Sequence, residues 1–302
     1  LGWSPNDPLW LHRFLKKQGF SDEFLAGSGL FSKKYAGYSI YVDRFMFPIR
    51  DRKGRVVAFG GRLLHPKDEN DRKYINSADL PWYKKGEILF AFDMAKQSIS
   101  QSKEVIFCEG YMDVIVLHQE GFRNTVCPMG TALTDFQAKQ LTRQTKHIVL
   151  ALDGDAAGYH AAVKDIDIIR EASIADVPGE GQALLRQEHR LNVDIRIVTI
   201  PEGLDPDEVV LESHETWEQI IASAKPIVIH MMETLAKDRD LNDAKTKSEI
   251  AAQIMPLIRE VPDAIERETY RQQLARFLGI DESLLSYTGQ TALGDTATQK
   301  IS

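Results

Sequence analysis

The middle of the chain alternates between short apolar runs and longer segments whose apolar residues recur with helical spacing. Short apolar runs are typical of buried strands in a parallel sheet, and helical segments are typical of the connections between such strands. The predicted strands are Val105–Cys108, Thr125–Cys127, His147–Leu152 and Ile195–Ile200. The helices predicted between them are Tyr111–Glu120, Thr134–Arg143 and Ala156–Ser173. This rhythm predicts a small parallel sheet with helices on both faces.

The two ends of the chain have different patterns. Before residue 100, two apolar runs, Phe45–Ile49 and Val56–Phe59, flank a charged turn and predict a hairpin. After Glu208 the apolar spacing is helical only, and the tail from residue 286 is polar. We therefore expect an α/β protein, α+β overall. Its expected parts are an N-terminal basic α/β subdomain (1–100), a Rossmann-like parallel sheet (101–207), a C-terminal helical bundle (208–285) and a flexible linker (286–302).

Charge is distributed unevenly along the chain. The net charge is −7, but residues 1–100 hold 17 Lys and Arg against 11 Asp and Glu, a net charge of +6. A basic first part predicts binding of a polyanion. No run of about 18 apolar residues occurs, so we expect no membrane span. Cys108 and Cys127 belong to no C-x-x-C motif, which favours buried thiols in a reducing cytoplasm over a disulfide or a structural zinc.

Six carboxylates occur in three pairs, each directly after a predicted strand. The pairs are Glu109 with Asp113, Asp153 with Asp155, and Asp205 with Asp207. Because the carboxyl ends of parallel strands meet at the edge where ligands bind, we expect these side chains to lie close together. Mg²⁺ prefers such oxygen ligands and often holds substrate phosphates at the same time. The sequence therefore predicts a divalent-metal site that handles phosphate.

Each pair alone also has a structural interpretation. Asp113 falls in the first turn of a predicted helix, where a negative charge is favoured, and Asp155 is suitably placed for an N-cap. An EF-hand beginning at Asp153 needs Glu at its twelfth position, which is Lys164 here. A haloacid-dehalogenase-type phosphatase would use the same Asp-x-Asp, but Ala157 stands where Thr or Val is usual. That enzyme class stays a weaker alternative.

The motifs around the carboxylates resemble the TOPRIM domain, and within it the DnaG-type primase branch. The resemblance rests on EGYMDV (109–114), GTALT (130–134), DGDAAG (153–158), FMFPIRD (45–51), FGGR (59–62) and KYINS (73–77). It covers about residues 1–285. It implies the RNA polymerase core of a DnaG-type primase, which makes short RNA primers on single-stranded DNA by metal-dependent nucleotidyl transfer.

The resemblance also implies roles for individual residues. It makes Glu109, Asp153 and Asp155 the catalytic carboxylates and main ligands of two or more Mg²⁺ or Mn²⁺ ions, with Asp205 and Asp207 extending the site. Glu109 is alternatively a general base. Lys73, Asn76 and Lys85 match family positions that contact nucleotide phosphates. Asp113 and Tyr111 are near enough in sequence to touch the nucleotide, and Arg62 follows a double glycine, which lets the backbone approach a ligand closely. By their charge, the candidates for template DNA binding through phosphates are Arg44, Arg50, Arg52, Lys53 and Arg55. For Trp82 and Tyr83, packing is favoured over stacking on a base.

The implied partners are a single-stranded DNA template, ribonucleoside triphosphates and an RNA primer, and we expect a monomer. We expect no zinc in this chain, and we expect the replicative helicase to bind through a C-terminal domain absent from it. Two alternatives to a primase remain open. One is a TOPRIM nuclease or topoisomerase fragment, and the other is a catalytically silent, primase-like module that binds DNA or a helicase.

Overall fold

The computed structural model describes residues 2–66, 68, 71–130, 132–152, 165–166, 168–169, 172, 193–201, 203–259, 261 and 263–286. The strands are β1 (Gly2–Ser4), β2 (Arg44–Arg50), β3 (Val56–Leu63), β4 (Tyr74–Asn76), β5 (Glu104–Phe107), β6 (Thr125–Val126), β7 (His147–Leu150), β8 (Asp194–Ile197) and β9 (Lys225–Pro226). The helices are α1 (Trp10–Lys17), α2 (Asp22–Gly27), α3 (Phe92–Ser102), α4 (Tyr111–Gln119), α5 (Asp135–Gln144), α6 (Pro206–Glu212), α7 (His214–Ala222), α8 (Ile227–Ala236), α9 (Ala244–Arg259) and α10 (Ala264–Leu278).

Two sheets organise the part of the chain that the structure describes. The first is antiparallel, with strand order β1-β2-β3-β4. The second has the order β6-β5-β7-β8-β9, in which the first three pairs are parallel and β9 is antiparallel to β8. The predicted α/β class with a Rossmann-like parallel sheet is therefore confirmed. The antiparallel edge strand β9 was not predicted, because two residues are too few to give a periodic signal.

Alternating side chains of the parallel strands enter two hydrophobic cores. Val105 and Phe107 of β5 pack in the same core as helices α3, α5 and α8–α10. Ile106, between them in sequence, packs on the opposite face with α4, α6 and residues of β2 and β3. Both faces of β5 are therefore covered, as is typical of a parallel strand whose successive residues Val105–Phe107 are all apolar. The C-terminal helices are thus a bundle that packs directly on the parallel sheet.

The helix boundaries follow local capping chemistry. Thr134 and Gln137 form a capping box at the start of α5, where Thr134 Oγ1 accepts a hydrogen bond from the Gln137 amide at 3.3 Å. Asp263 caps α10 by accepting hydrogen bonds from the amides of Ile265 and Glu266. Gly279 ends that helix with a φ of +60°, a conformation that glycine adopts readily.

Several sequence predictions can be compared with this fold. Cys108 and Cys127 are buried thiols, as predicted. No helix among the described residues is both long and apolar enough to cross a bilayer. The predicted linker falls almost entirely on residues 287–302, outside the described residues. The helix predicted at residues 156–173 is described only in part, and there Ile166 and Ile169 are helical and buried.

Candidate functional site

Glu109 lies in the short turn between strand β5 and helix α4, at the carboxyl end of the parallel sheet. It is exposed. The next acidic residue, Asp113, is only 6% exposed, and its Oδ2 accepts a 3.0 Å hydrogen bond from the Gly110 amide. A carboxylate in the first helical turn is also favoured by the helix dipole. Asp113 therefore fixes the turn that carries Glu109, and its predicted nucleotide contact stays a prediction.

Asn76 joins the two sheets through both polar atoms of its side chain. The Tyr111 hydroxyl donates to Asn76 Oδ1 at 2.9 Å, and Asn76 Nδ2 donates to the Met129 carbonyl at 2.9 Å. Tyr111 is buried, and burial raises the pKa of its hydroxyl. We call this Tyr111–Asn76–Met129 arrangement the Asn76 bridge. The bridge uses polar side-chain atoms of Tyr111 and Asn76, and the predicted nucleotide contacts of these two residues stay predictions.

Gly60 leaves room for this bridge, and Gly61 leaves room for the side chains of Tyr41 and Arg44. A Cβ at Gly60 would lie 2.9 Å from Asn76 Oδ1 and 3.4 Å from the Tyr111 ring. A Cβ at Gly61 would lie 3.0 Å from the Tyr41 ring. The sequence suggested that this double glycine permits close approach of a ligand. In the structure it permits close approach of protein side chains.

Arg62 and Lys73 lie at the edge of the first sheet that faces the bridge. Arg62 pairs with Tyr74 across β3 and β4, and its guanidinium lies 5.8 Å from the centre of the Tyr74 ring. The Lys73 side chain is exposed, while its carbonyl accepts a 2.8 Å hydrogen bond from the Leu63 amide. Two predicted nucleotide-binding cations are therefore neighbours on one strand pair.

Tyr74 also relates this edge to the acidic residues. Burial raises the pKa of its hydroxyl, the positive charge of Arg62 opposes this, and the negative charges of Asp113 and Asp207 add to it. The ring of Tyr74 is also 6.0 Å from that of Tyr111. Tyr74 thus lies between Arg62 of the first sheet and Tyr111 of helix α4.

Asp205 and Asp207 begin helix α6, which packs against α4. The Asp205 amide donates to Glu208 Oε2 at 3.2 Å, and Asp207 Oδ1 accepts from the Glu208 amide at 3.0 Å. Asp205 is exposed and Asp207 half-buried. Helices α4 and α6 both follow carboxyl ends of parallel strands, so their first residues share one edge of the sheet.

Strand β7 lies between β5 and β8 in the sheet. The predicted ligands Asp153 and Asp155 come after it, but both lie outside the described residues. Within the residues that are described, no group of three or more His, Cys, Asp or Glu side chains is arranged to hold a metal ion. Glu109, Asp205 and Asp207 all offer carboxylate oxygens, which fit a hard divalent cation. The chemistry of the donors therefore suits such an ion, although the described donors form only part of the predicted set.

Lys85 begins a short 3₁₀ turn, Lys85–Glu87, that is held from two sides. Its amide donates to Asp79 Oδ1 at 3.1 Å. On the other side, Gln137 Nε2 donates to the carbonyls of Lys85 at 3.2 Å and Ile88 at 2.8 Å. Gln137 is fully buried. We did not single it out from the sequence, although Thr134 followed three residues later by Gln137 is a capping-box signal.

Arg44 does not lie where a template could reach it. The residue is 6% exposed, and its guanidinium donates to the carbonyls of Gly61, Lys73 and Arg72 at 3.0–3.3 Å. Burial lowers its pKa, opposed mainly by the charge of Asp71. The structure therefore corrects the predicted DNA contact: Arg44 fixes the backbone that leads into β4.

The other predicted DNA-binding residues form the tip of the β2–β3 hairpin. The residues are Arg50, Arg52, Lys53 and Arg55, and all are exposed. Arg55 pairs with Asp51 at 2.6 Å, and the carbonyl of Arg52 accepts a 3.2 Å hydrogen bond from Lys96 of α3. The tip therefore rests on α3. Because Arg55 and Arg62 lie at opposite ends of β3, their backbones are separated by about 23 Å.

Three family models match this chain. The DNA primase catalytic core N-terminal domain matches residues 1–96, a Toprim-like domain matches 106–210, and the DnaB-helicase binding domain of primase matches 230–283. The last match contradicts our expectation that a helicase-binding region is absent from this chain. That expectation was wrong because we placed helicase binding beyond the helical part instead of within it.

Individual relatives agree with these matches. A DNA primase of Treponema pallidum is 35% identical over 281 residues, which cover 93% of this chain and 43% of the relative. This chain thus spans less than half the length of the curated relatives it matches. The fold is similar to a DNA primase domain from Pseudomonas aeruginosa, with a TM-score of 0.72, 30% identity, and coverage of 94% of this chain and 84% of that one.

A DnaG primase catalytic domain bound to single-stranded DNA is also similar, with a TM-score of 0.70 and 29% identity. The match covers 94% of this chain and 82% of that domain. The same assignment follows from the fold, from the motifs that carry the candidate site residues, and from the relatives. This chain belongs to the DnaG-type DNA primase family and contains a TOPRIM domain.

Proposed function

We propose that this chain synthesises short RNA primers on a single-stranded DNA template by metal-dependent nucleotidyl transfer. The observation that carries the proposal is the Asn76 bridge. It holds the strand pair bearing Arg62 and Lys73 against the sheet edge where Glu109 lies. The bridge therefore keeps the cations Arg62 and Lys73, proposed to bind the triphosphate, on one side and the carboxylate of Glu109, proposed to bind a metal ion, on the other. The structure of a similar catalytic domain with bound single-stranded DNA supports the same function.

The Toprim-like match implies the use of divalent metal ions in general. We propose two or more Mg²⁺ or Mn²⁺ ions, held by Glu109, Asp153 and Asp155, with Asp205 and Asp207 extending the site. When bound, such ions neutralise phosphate charge and make a hydroxyl a better nucleophile. The contribution of the described residues is to hold the carboxylates in place. Asp113 does this for the turn of Glu109, and the packing of α4 on α6 does it for Asp207.

The cationic residues would bind the ribonucleoside triphosphate. Phosphoryl transfer depends mainly on positioning and on neutralisation of charge. Lys73 and Arg62 would contact phosphate oxygens from the first sheet, and Lys85 would do so from its 3₁₀ turn. Gln137 holds that turn through its bonds to two carbonyls. The Asn76 bridge would then set the distance between bound phosphates and the carboxylates.

The basic tip of the β2–β3 hairpin would bind the template. Phosphate contacts give affinity with little choice of sequence, which suits an enzyme that must copy many templates. Arg50, Arg52, Lys53 and Arg55 keep this proposed role, and Arg44 does not. We further propose that residues 230–283 contact the replicative helicase, as their family match suggests. We also propose that the chain divides into four parts at residues 100, 207 and 285. We propose in addition that it is a monomer and that it is located in the cytoplasm.

Strand β5 offers a matched pair of variants for testing the function. Glu104 begins this strand and Glu109 follows its other end. De novo primer synthesis should be measured on a single-stranded template with ribonucleotides and Mg²⁺ or Mn²⁺. We expect Glu109→Gln to lower the rate at least about 100-fold and Glu104→Gln to retain it. Equal rates for both variants would remove Glu109 from the site.

The same preparation can test the competing nuclease interpretation. Single-stranded DNA is incubated with the metal ion but without ribonucleotides, and its length is followed by electrophoresis. A primase core leaves the DNA intact under these conditions. Cleavage that requires Glu109, together with failure to make RNA, would replace the proposed function with that of a TOPRIM nuclease.

A further inference from the structure

Trp82 is exposed at the surface, three residues before Lys85, which we propose binds phosphate. Its side chain belongs to the most exposed large apolar residues, at 57% exposure, whereas its neighbour Tyr83 is 1% exposed. The sequence favoured packing for both residues, and the structure bears this out only for Tyr83. A single exposed apolar side chain is not unusual in itself. The surroundings of Trp82 are what give it significance.

The backbone on both sides of Trp82 is fixed. The amide of Leu80 donates to the Tyr83 carbonyl at 2.7 Å, and the amide of Tyr83 donates to the Leu80 carbonyl at 3.0 Å. Trp82 therefore lies at the tip of a closed turn. The Leu80 side chain packs at Gly29, where an added Cβ would lie 3.0 Å from it. Gln137 and Asp79 hold the following residues, as described for Lys85.

This arrangement combines an exposed aromatic ring on an ordered backbone with positive charge. Lys84 and Lys85 follow Trp82 within three residues. Lys84 lies 3.7 Å from Glu87 at the surface. Proteins that bind single-stranded nucleic acid place exposed aromatic rings beside cations, so that bases stack while phosphates are neutralised. A ring whose backbone is already ordered loses less entropy when it stacks.

We propose that Trp82 is a base-stacking residue, which binds the face of a nucleobase while the adjacent lysines bind the attached phosphates. The ligand is a nucleobase, from either an incoming ribonucleotide or a single strand of DNA or RNA. This inference rests on the proposed function, since it assumes that nucleotides approach the Lys85 turn. The stacking of Trp82 would add a contact to the face of the base. The proposed phosphate contacts do not depend on a base.

The test compares ligands with and without bases. The whole chain and its Trp82→Leu and Trp82→Phe variants are titrated with a single-stranded oligonucleotide, an abasic strand of equal length, ATP and inorganic triphosphate. We expect Trp82→Leu to weaken binding of a base-containing ligand roughly 5- to 150-fold, and Trp82→Phe to weaken it less. Affinity for the abasic strand and for triphosphate should be unchanged.

The ligand that loses affinity identifies the source of the base. A selective loss for ATP assigns Trp82 to the incoming nucleotide, and a selective loss for the oligonucleotide assigns it to a strand. Trp3→Leu is the matched control, because Trp3 is 60% exposed and lies on β1. An equal loss on the abasic strand, or no loss on any ligand, would overturn the inference.

Failure of this inference can be distinguished from failure of the proposed function. If Trp82→Leu binds all four ligands like the original chain and still makes primers, only the stacking role is lost. Tryptophan fluorescence gives an independent measurement. The difference between the original chain and Trp82→Phe isolates the Trp82 signal, which base-containing ligands should quench and the abasic strand should not.

Discussion

The Tyr111 hydroxyl and Asn76 Oδ1 lie 2.9 Å apart, and this hydrogen bond connects residues 35 positions apart in the chain. It joins helix α4 of the TOPRIM domain to strand β4 of the first sheet. Asn76 continues the connection to the Met129 carbonyl. The Asn76 bridge therefore helps to hold the first sheet near Glu109, together with the apolar core that contains Tyr111.

Replacing Tyr111 with Phe should measurably lower the free energy of unfolding. The change leaves Asn76 Oδ1 without its donor, which costs about 1–3 kcal/mol of unfolding free energy. Chemical denaturation monitored by circular dichroism measures the loss. Tyr35→Phe is the control, because Tyr35 is 54% exposed. Equal stability of the Tyr111→Phe variant and the original chain would show that the bridge is energetically unimportant.

Gly60→Ala should disturb the same bridge from the other side. The added methyl group would lie 2.9 Å from Asn76 Oδ1, closer than real Cβ contacts, so Asn76 must move. Overpacking of this kind typically costs 1–3 kcal/mol, and we expect a similar magnitude, with a raised KM for ribonucleotide in primer synthesis. Gly27→Ala has nothing within 4 Å of the new methyl group and should be neutral or slightly stabilising. A Gly60→Ala enzyme with unchanged stability and KM would contradict this account.

Lys53 and Arg44 should respond differently in DNA binding. Lys53 is exposed at the hairpin tip, so Lys53→Ala should reduce the slope of log K against log salt concentration by about 0.7 for single-stranded DNA. Arg44→Met should leave that slope unchanged. It should instead destabilise the fold by at least about 1.5–3 kcal/mol, the range for one hydrogen bond to a charged group. Fluorescence anisotropy across a salt series, well below the melting temperature, compares the two variants.

Glu104 should make stability depend on pH. Burial raises the pKa of its carboxyl, with His147 and Arg196 opposing the rise. Between the ordinary and the raised pKa, the folded protein binds more protons than the unfolded chain, so the free energy of unfolding falls as pH rises through that window. Glu104→Gln cannot titrate, so its melting temperature relative to the original chain should be higher at pH 7 than at pH 4.

Asp281 provides a control of opposite sign. The hydroxyl and the amide of Ser283 donate hydrogen bonds that lower the pKa of the Asp281 carboxyl. Its stabilising contribution is therefore present above the ordinary pKa and is lost as pH falls. Asp281→Asn should be relatively less stable at pH 7 than at pH 4. Parallel shifts of the Glu104 and Asp281 variants would argue against this assignment of proton binding.

The repeating parts of the fold were predictable from the sequence because their signals are local. Strands β5 and β7 are apolar after their first residue, helix α4 follows β5, and helix α5 precedes β7, both helices with helical apolar spacing. The position of Glu109 after β5 followed from the same pattern. Family motifs then identified the primase branch, which periodicity alone could not have done.

The roles of single side chains were less predictable because they depend on contacts distant in sequence. Arg44 appeared to be one of several cations of a basic segment, and only the folded chain brings the carbonyls of Gly61, Arg72 and Lys73 around it. The family resemblance implied that Asn76 binds nucleotide, and only the folded chain shows its hydrogen bonds to Tyr111 and Met129. A polar residue in a family motif can hold two parts of the protein together or bind the ligand. The sequence alone does not distinguish these two roles.

The core that contains Tyr111 has a consequence for how the protein can be divided. Phe47 and Ile49, both completely buried, pack in one cluster with Cys108, Val114 and other residues of the TOPRIM domain. A fragment cut near residue 96, where the first family match ends, would expose this apolar surface to water. The modules recognised by sequence are therefore not independent folding units, and the N-terminal one should aggregate when it is expressed alone.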